Sequence, residues 1–78
     1  MTFTELIDTL HRLEDELRVF EDKYQLRSKD FYDLMQAEQL EESYDFVRWL
    51  GYYELWLDTM AEYTALLMVQ RHPLLKAA

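Results

Sequence analysis

Apolar residues at Phe3, Leu6, Leu10, Leu13, Leu17, Phe20 and Tyr24 repeat a spacing of three then four through the first third of the chain. That interval predicts a helix over residues 3–24 carrying a heptad seam. Phe3, Leu10, Leu17 and Tyr24 stand at position a and Leu6, Leu13 and Phe20 at d, with Glu14 and Glu21 at e and Glu16 and Lys23 at g. Thr2 or Thr4 is placed to cap the start, and Glu5, three residues after Thr2, has the spacing of a capping box. Asp8 with Arg12, Glu14 with Arg18 and Asp22 with Arg18 sit four apart outside the seam, and read as surface pairs worth about 0.2–0.5 kcal/mol each.

A second apolar cluster, Phe31, Leu34 and Met35, follows Ser28 and Asp30. It predicts a short helix over residues 29–37, with Ser28 as N-cap and Asp30 in the first turn where the helix dipole favours an acid. The three-four spacing then returns at Phe46, Trp49, Tyr53, Trp56, Met60, Tyr63 and Leu67, predicting a long helix over residues 44–71 capped by Ser43. His72-Pro73 ends it, because a residue before proline avoids the helical region, and residues 72–78 form a tail. Gly51 lies inside this helix at a cost of about 1 kcal/mol relative to Ala, and its missing side chain leaves room for the short helix or a second subunit. Two seams of equal length imply an all-α single domain: a long antiparallel hairpin with heptad-type packing and a short connecting helix.

The last helix carries more apolar surface than its partner can cover. Leu50 and Leu57 fall at e, Tyr52 and Leu66 at g, Leu55 and Val69 at c. The short helix offers three side chains against a stripe about seven turns long. Leu55, Leu66, Met68, Val69, Leu74 and Leu75 are therefore expected to form an exposed patch that another surface completes into a bundle, by dimerisation or by a partner.

Charge narrows what that surface is. Eight Lys and Arg against sixteen Asp and Glu give −8, which opposes phosphate-tracking on nucleic acid and attraction to an anionic membrane, and favours a basic protein partner. At 78 residues without cysteine, the chain has neither a disulfide staple nor a thiolate metal site. Met1 to Leu10 carries Glu5 and Asp8 and lacks the pattern of a secretory signal, so a cytoplasmic location is expected. The apolar run from Phe46 to Val69 is broken by Arg48, Glu54, Asp58 and Glu62, each costing about 2.5–3.5 kcal/mol at mid-bilayer, and is not a membrane span.

Candidates for chemistry are thin. His11 and His72 lack a third ligand at helical spacing, and the Asp8/His11 pair is half of a di-iron carboxylate motif without a second half; both histidines read as surface residues. Glu14-Asp15-Glu16 reads as a solvated helix face, and neither it nor Glu38, Glu41 and Glu42 has the pattern of a calcium loop. The latter three lie in a connector beside Tyr32 and Tyr44, where acids are placed to meet a basic partner. Trp49, Tyr53, Trp56 and Tyr63, at a and d, read as core rather than a base-stacking platform, which would come with a positive groove. No catalytic, cofactor or metal site is expected. Tyr52, Leu55, Leu66, Val69, Leu74 and Leu75, with Glu38, Glu41 and Glu42, are the candidate partner-binding residues.

The segment FEDKYQLRSKDFYDLMQAEQLEESYDFVRWLGYYELWL, from Phe20 to Leu57, resembles the middle of small acidic helical antitoxin-like proteins of cyanobacteria and archaea encoded beside toxin nucleases. Lys23-Tyr24, Ser28, Asp30-Phe31-Tyr32, Leu40, Asp45-Phe46, Trp49 and Tyr53-Glu54 carry the resemblance, over about half the chain. Gln25 stands where that pattern has Gly after Lys-Tyr, and Gln39 replaces its Gly-Glu turn before Leu40. The resemblance implies the antitoxin half of a toxin–antitoxin pair. The −8 charge and the surplus apolar stripe point the same way, to a non-catalytic protein that covers the cleft of a basic nuclease, and the chain has no basic DNA-binding arm. A homo-oligomeric adaptor, two hairpins joined as a four-helix bundle through Leu50, Leu57 and Leu66, is the alternative expectation.

Overall fold

The structure, a computed structural model, describes residues 1–70. They form three helices in the order α1 (Phe3–Tyr24), α2 (Ser28–Gln36) and α3 (Tyr44–Gln70). Thr2 starts α1 with a capping box: its Oγ1 accepts from the Glu5 backbone N–H and its own N–H donates to Glu5 Oε1, both at 3.2 Å. The Ser43 hydroxyl accepts from the Phe46 N–H at 3.1 Å and so caps α3.

α1 and α3 run antiparallel, as three contacts spaced along the pair show. Phe3 meets Tyr63 edge-on at 6.0 Å, Trp56 Nε1 donates to Glu14 at 3.0 Å, and Tyr24 meets Phe46 at 5.1 Å. Leu6, Leu10, Leu13, Leu17 and Phe20 are all buried, so the α1 seam is the one its spacing predicts. With 27 residues α3 spans about 40 Å and sets the long axis of a 46 × 24 × 19 Å molecule. The radius of gyration, 15.1 Å, exceeds the about 11 Å of a compact domain of this length.

The densest packing lies at one end of the rod, where α2 folds back. Trp49 is fully buried there, stacked on Phe31 of α2 at 3.8 Å between ring centres and flanked by Phe20 at 5.7 Å and Tyr24 at 5.8 Å from α1. Its indole N–H donates to the buried Ser28 hydroxyl at 2.9 Å. That bond corrects the expected role of Ser28. The residue lies inside the first turn of α2, Arg27 is the N-cap and makes no side-chain capping bond, and the Ser28 N–H donates instead to Glu21 Oε2 of α1 at 2.8 Å. A carboxylate of a neighbouring helix thus meets the positive end of the α2 dipole, freeing the hydroxyl for the tryptophan.

Among the described residues, α1 alone covers α3 beyond Trp56. The a and d residues Met60, Tyr63 and Leu67 are accordingly half-buried, and the residue buried in that stretch is Thr59, one position off the predicted seam, with its hydroxyl satisfied by the Leu55 carbonyl at 2.8 Å. Gly51 is exposed, and a Cβ there would meet nothing within 4 Å, so α2 does not use the space it leaves. The expected Asp8/Arg12, Glu14/Arg18 and Asp22/Arg18 pairs do not close. The ion pairs among the described residues are Lys29–Asp33 at 2.8 Å and Lys23–Asp45 at 2.6 Å.

Both connectors turn through the left-handed region, at Gln25 (φ 52°) after α1 and Glu38 (φ 56°) after α2. A side chain there costs about 1–2 kcal/mol that glycine avoids. Gln25 recovers part of this by donating from Nε2 to the Asp22 carbonyl at 2.8 Å. Asp45 ties the first turn of α3 to the end of α1 by accepting from Lys23 Nζ and from the Tyr24 hydroxyl, the latter at 2.5 Å. The Lys23 bond first, then the Tyr24 bond, holds the Asp45 carboxyl below the ordinary carboxylate range, while the Lys23 and Tyr24 values are raised.

Three outcomes follow from these contacts. Ser28→Ala leaves a buried indole N–H without an acceptor and lowers unfolding free energy by about 1–3 kcal/mol, read by urea denaturation. Gln25→Gly raises it by about 0.5–1 kcal/mol, relief of the left-handed strain outweighing the extra freedom of the unfolded chain. Because the folded Asp45 carboxyl is depressed, its contribution is complete above the unfolded carboxyl's value and disappears as pH falls through the folded one. The thermal midpoint of Asp45→Asn should therefore depend less steeply on pH than that of the parent between about pH 6 and about pH 2, where carboxylates titrate.

Candidate functional site

α2 packs on one flank of the hairpin and leaves the other flank open. Positions 52, 55, 59, 62, 66 and 69 of α3 continue the three-four spacing along that open flank, parallel to the buried seam. At one end Tyr52 and Leu55 line a depression of about 410 Å³ with Thr9, Arg12, Leu13, Asp15 and Glu16 of α1. At the other, Leu66 and Val69 line one of about 310 Å³ with Met1, Leu6, Glu62 and Ala65. Between them lie the buried Thr59 and the exposed Glu62.

The four described α3 residues expected to bind a partner therefore share one face. Their exposures differ. Leu55 is 51% and Val69 74% exposed, and Met68, beside Val69 in sequence, is 58% exposed. Leu66 is half-buried, and Tyr52 is half-buried against Phe20 at 6.2 Å with the Arg48 guanidinium 6.0 Å from its ring. Glu38, Glu41 and Glu42 are exposed in the connector between α2 and α3 and line neither depression. Leu74 and Leu75 lie outside the described residues, as does His72. The α1 rim of the face, Thr9, Arg12 and Glu16, escaped sequence reasoning because polar residues at g and c look like ordinary solvated positions. The signal that marks them is their match to the g and c stripe of α3.

Charge is divided unequally between the flanks. The two depressions on the open flank hold Asp15, Glu16 and Glu62 against Arg12. None of those three carboxylates has an ion pair or a hydrogen bond among the described residues. The flank bearing α2 has a cleft of about 460 Å³ lined by Arg18, Arg27 and Lys29 against Glu14 and Glu21, and there both carboxylates already accept hydrogen bonds, from Trp56 and from Ser28. The apolar stripe thus lies on the more acidic side.

His11 is exposed beside a shallow depression lined with Ile7, Leu10, Glu14 and Tyr63, and Asp8 is exposed as well. Among the described residues no group of three or more His, Cys, Asp or Glu is arranged to hold a metal ion, and no helix is long and apolar enough to cross a membrane. Comparison of the chain with protein-family models, curated proteins and solved structures finds no match.

Proposed function

We propose that this protein is a non-catalytic binding module, the antitoxin of a toxin–antitoxin pair, which neutralises a basic nuclease in the cytoplasm by covering its surface. One observation carries the reading: among the described residues, the stripe of 52, 55, 66 and 69 has Leu55 and Val69 exposed and Tyr52 and Leu66 half-buried, on a flank where Asp15, Glu16 and Glu62 are unpaired. Opposite charge speeds encounter with a basic protein and selects it, while apolar anchors slow release. The −8 charge acts in the same direction over longer range and repels nucleic acid from the antitoxin itself.

The connectors add support to the antitoxin resemblance. The chain is left-handed at Gln25, where the family pattern has glycine, and at Glu38, in the turn where that pattern places Gly-Glu. A glycine pattern is what a backbone of this shape calls for, even though this sequence uses other residues there.

The adaptor alternative fares less well in its original form. Leu50 packs on the core beside α2, and Leu66 lies about 160° round α3 from it at about 100° per residue, so Leu50, Leu57 and Leu66 do not present one interface. A second copy is still accommodated on the open flank.

Co-expression with the product of the adjacent gene tests the reading. The expected result is one complex on size-exclusion chromatography that weakens as salt rises, together with relief of that product's toxicity. Two separate peaks at micromolar concentration in low salt would exclude it.

A further inference from the structure

We propose that the open flank is a groove for a cationic amphipathic helix, supplied by the basic partner that the preceding reading assigns. Its two depressions lie one after the other along two antiparallel helices, so the natural filler of both is a third helix packed along them. Its apolar contacts are grouped at two ends, Tyr52 with Leu55 and Leu66 with Val69. Leu55 and Leu66 are eleven positions apart, about 16 Å at 1.5 Å per residue, which is three turns of helix. A facing helix with apolar residues at i and i+11, and at their neighbours three or four away, reaches both ends at once.

The rim supplies the sign. Asp15, Glu16 and Glu62 border the groove and lack partners among the described residues, facing Arg12 on the rim, while Arg48 at the Tyr52 end lies over the Phe20, Tyr44 and Tyr52 rings. Lysines and arginines flanking the partner's apolar stripe meet these acids in the partly desolvated setting where charge-assisted hydrogen bonds form best. The cleft on the α2 flank is lined by Arg18, Arg27 and the Asp33-paired Lys29 against two acids that already accept hydrogen bonds, and does not suit such a helix. A second copy of this chain is disfavoured as the occupant because it would set two −8 molecules face to face with the same acids along the rim. The groove therefore selects by charge and anchors by apolar contact, on a surface that α2 leaves free.

The test uses the full chain, isotope-labelled for NMR, and an 18-residue Leu/Lys peptide with leucines on one helical face. A scrambled peptide of the same composition is the control. Amide shifts are expected at Tyr52, Leu55, Leu66 and Val69 and not at Lys29 or Asp33 of α2, with the scrambled peptide at least tenfold weaker. Leu55→Asp, at an exposed position, should weaken the ordered peptide about tenfold while leaving the thermal midpoint near that of the parent. Glu16→Lys with Glu62→Lys should weaken it by a similar factor at low salt and less at high salt. Equal binding of both peptides, or shifts confined to the α2 flank, would overturn the groove. So would a dimer in light scattering that Leu55→Asp dissociates, since a second copy then holds this face. A complex with the adjacent gene product that survives Leu55→Asp unchanged would remove the groove and leave the antitoxin reading standing. Peptide binding as expected without any such complex would do the reverse.

Discussion

The fold depends on the burial of one side chain. Trp49 is the largest fully buried residue, and besides Phe46 of its own helix the groups that enclose it come from elsewhere in sequence: Phe20 and Tyr24 from α1, Phe31 and Ser28 from α2. An indole can be buried at low cost only if its N–H finds an acceptor, and the Ser28 hydroxyl is that acceptor. Meeting this requirement draws α2 onto one flank of the hairpin at one end. The Glu21 carboxylate completes the arrangement by taking the N–H that Ser28 does not cap for itself.

The other features of the molecule follow from where α2 is held. Nine residues cannot reach along a helix of twenty-seven, so among the described residues the half of α3 beyond Trp56 is covered from α1 alone. Met60, Tyr63 and Leu67 are left half-exposed in a seam that would otherwise close. The flank away from α2 keeps its apolar stripe, and there Asp15, Glu16 and Glu62 stay unpaired among the described residues although Arg12 lies on the same rim. Lys29 is committed to Asp33 and Lys23 to Asp45, while Arg18 and Arg27 lie on the α2 side. An acidic, partly apolar surface is the residue of packing decisions made elsewhere, and it is the basis of the binding role proposed above.

Much of this was legible without coordinates. The three-four spacing located the two long helices and the seam of α1, the apolar cluster after Ser28 and Asp30 located α2 to within one residue, and the caps at Thr2 and Ser43 were legible too, because period and capping chemistry act over four or five residues. The surplus on α3 was legible for the same reason, and Tyr52, Leu55, Leu66 and Val69 do share a face. Local rules failed where a distant residue competed for the same group. Ser28 has the chemistry of an N-cap, but a buried tryptophan claimed its hydroxyl. Glu14 has Arg18 one turn away, but the Trp56 indole takes its carboxylate instead. Gly51 suggested a close approach, and open space was found.

Sequence by itself therefore determined the helices, their antiparallel pairing and the existence of more apolar surface than the hairpin can bury. Tertiary structure decided which flank is covered, that both connectors turn through the left-handed region at non-glycine residues, and that the uncovered stripe coincides with the unpaired acids. The physical reason is one of range. Helical period, caps and charge count are sums over neighbours in the chain, whereas the position of α2 is set by how Trp49, Phe31 and Ser28, up to 21 residues apart, satisfy one another in three dimensions.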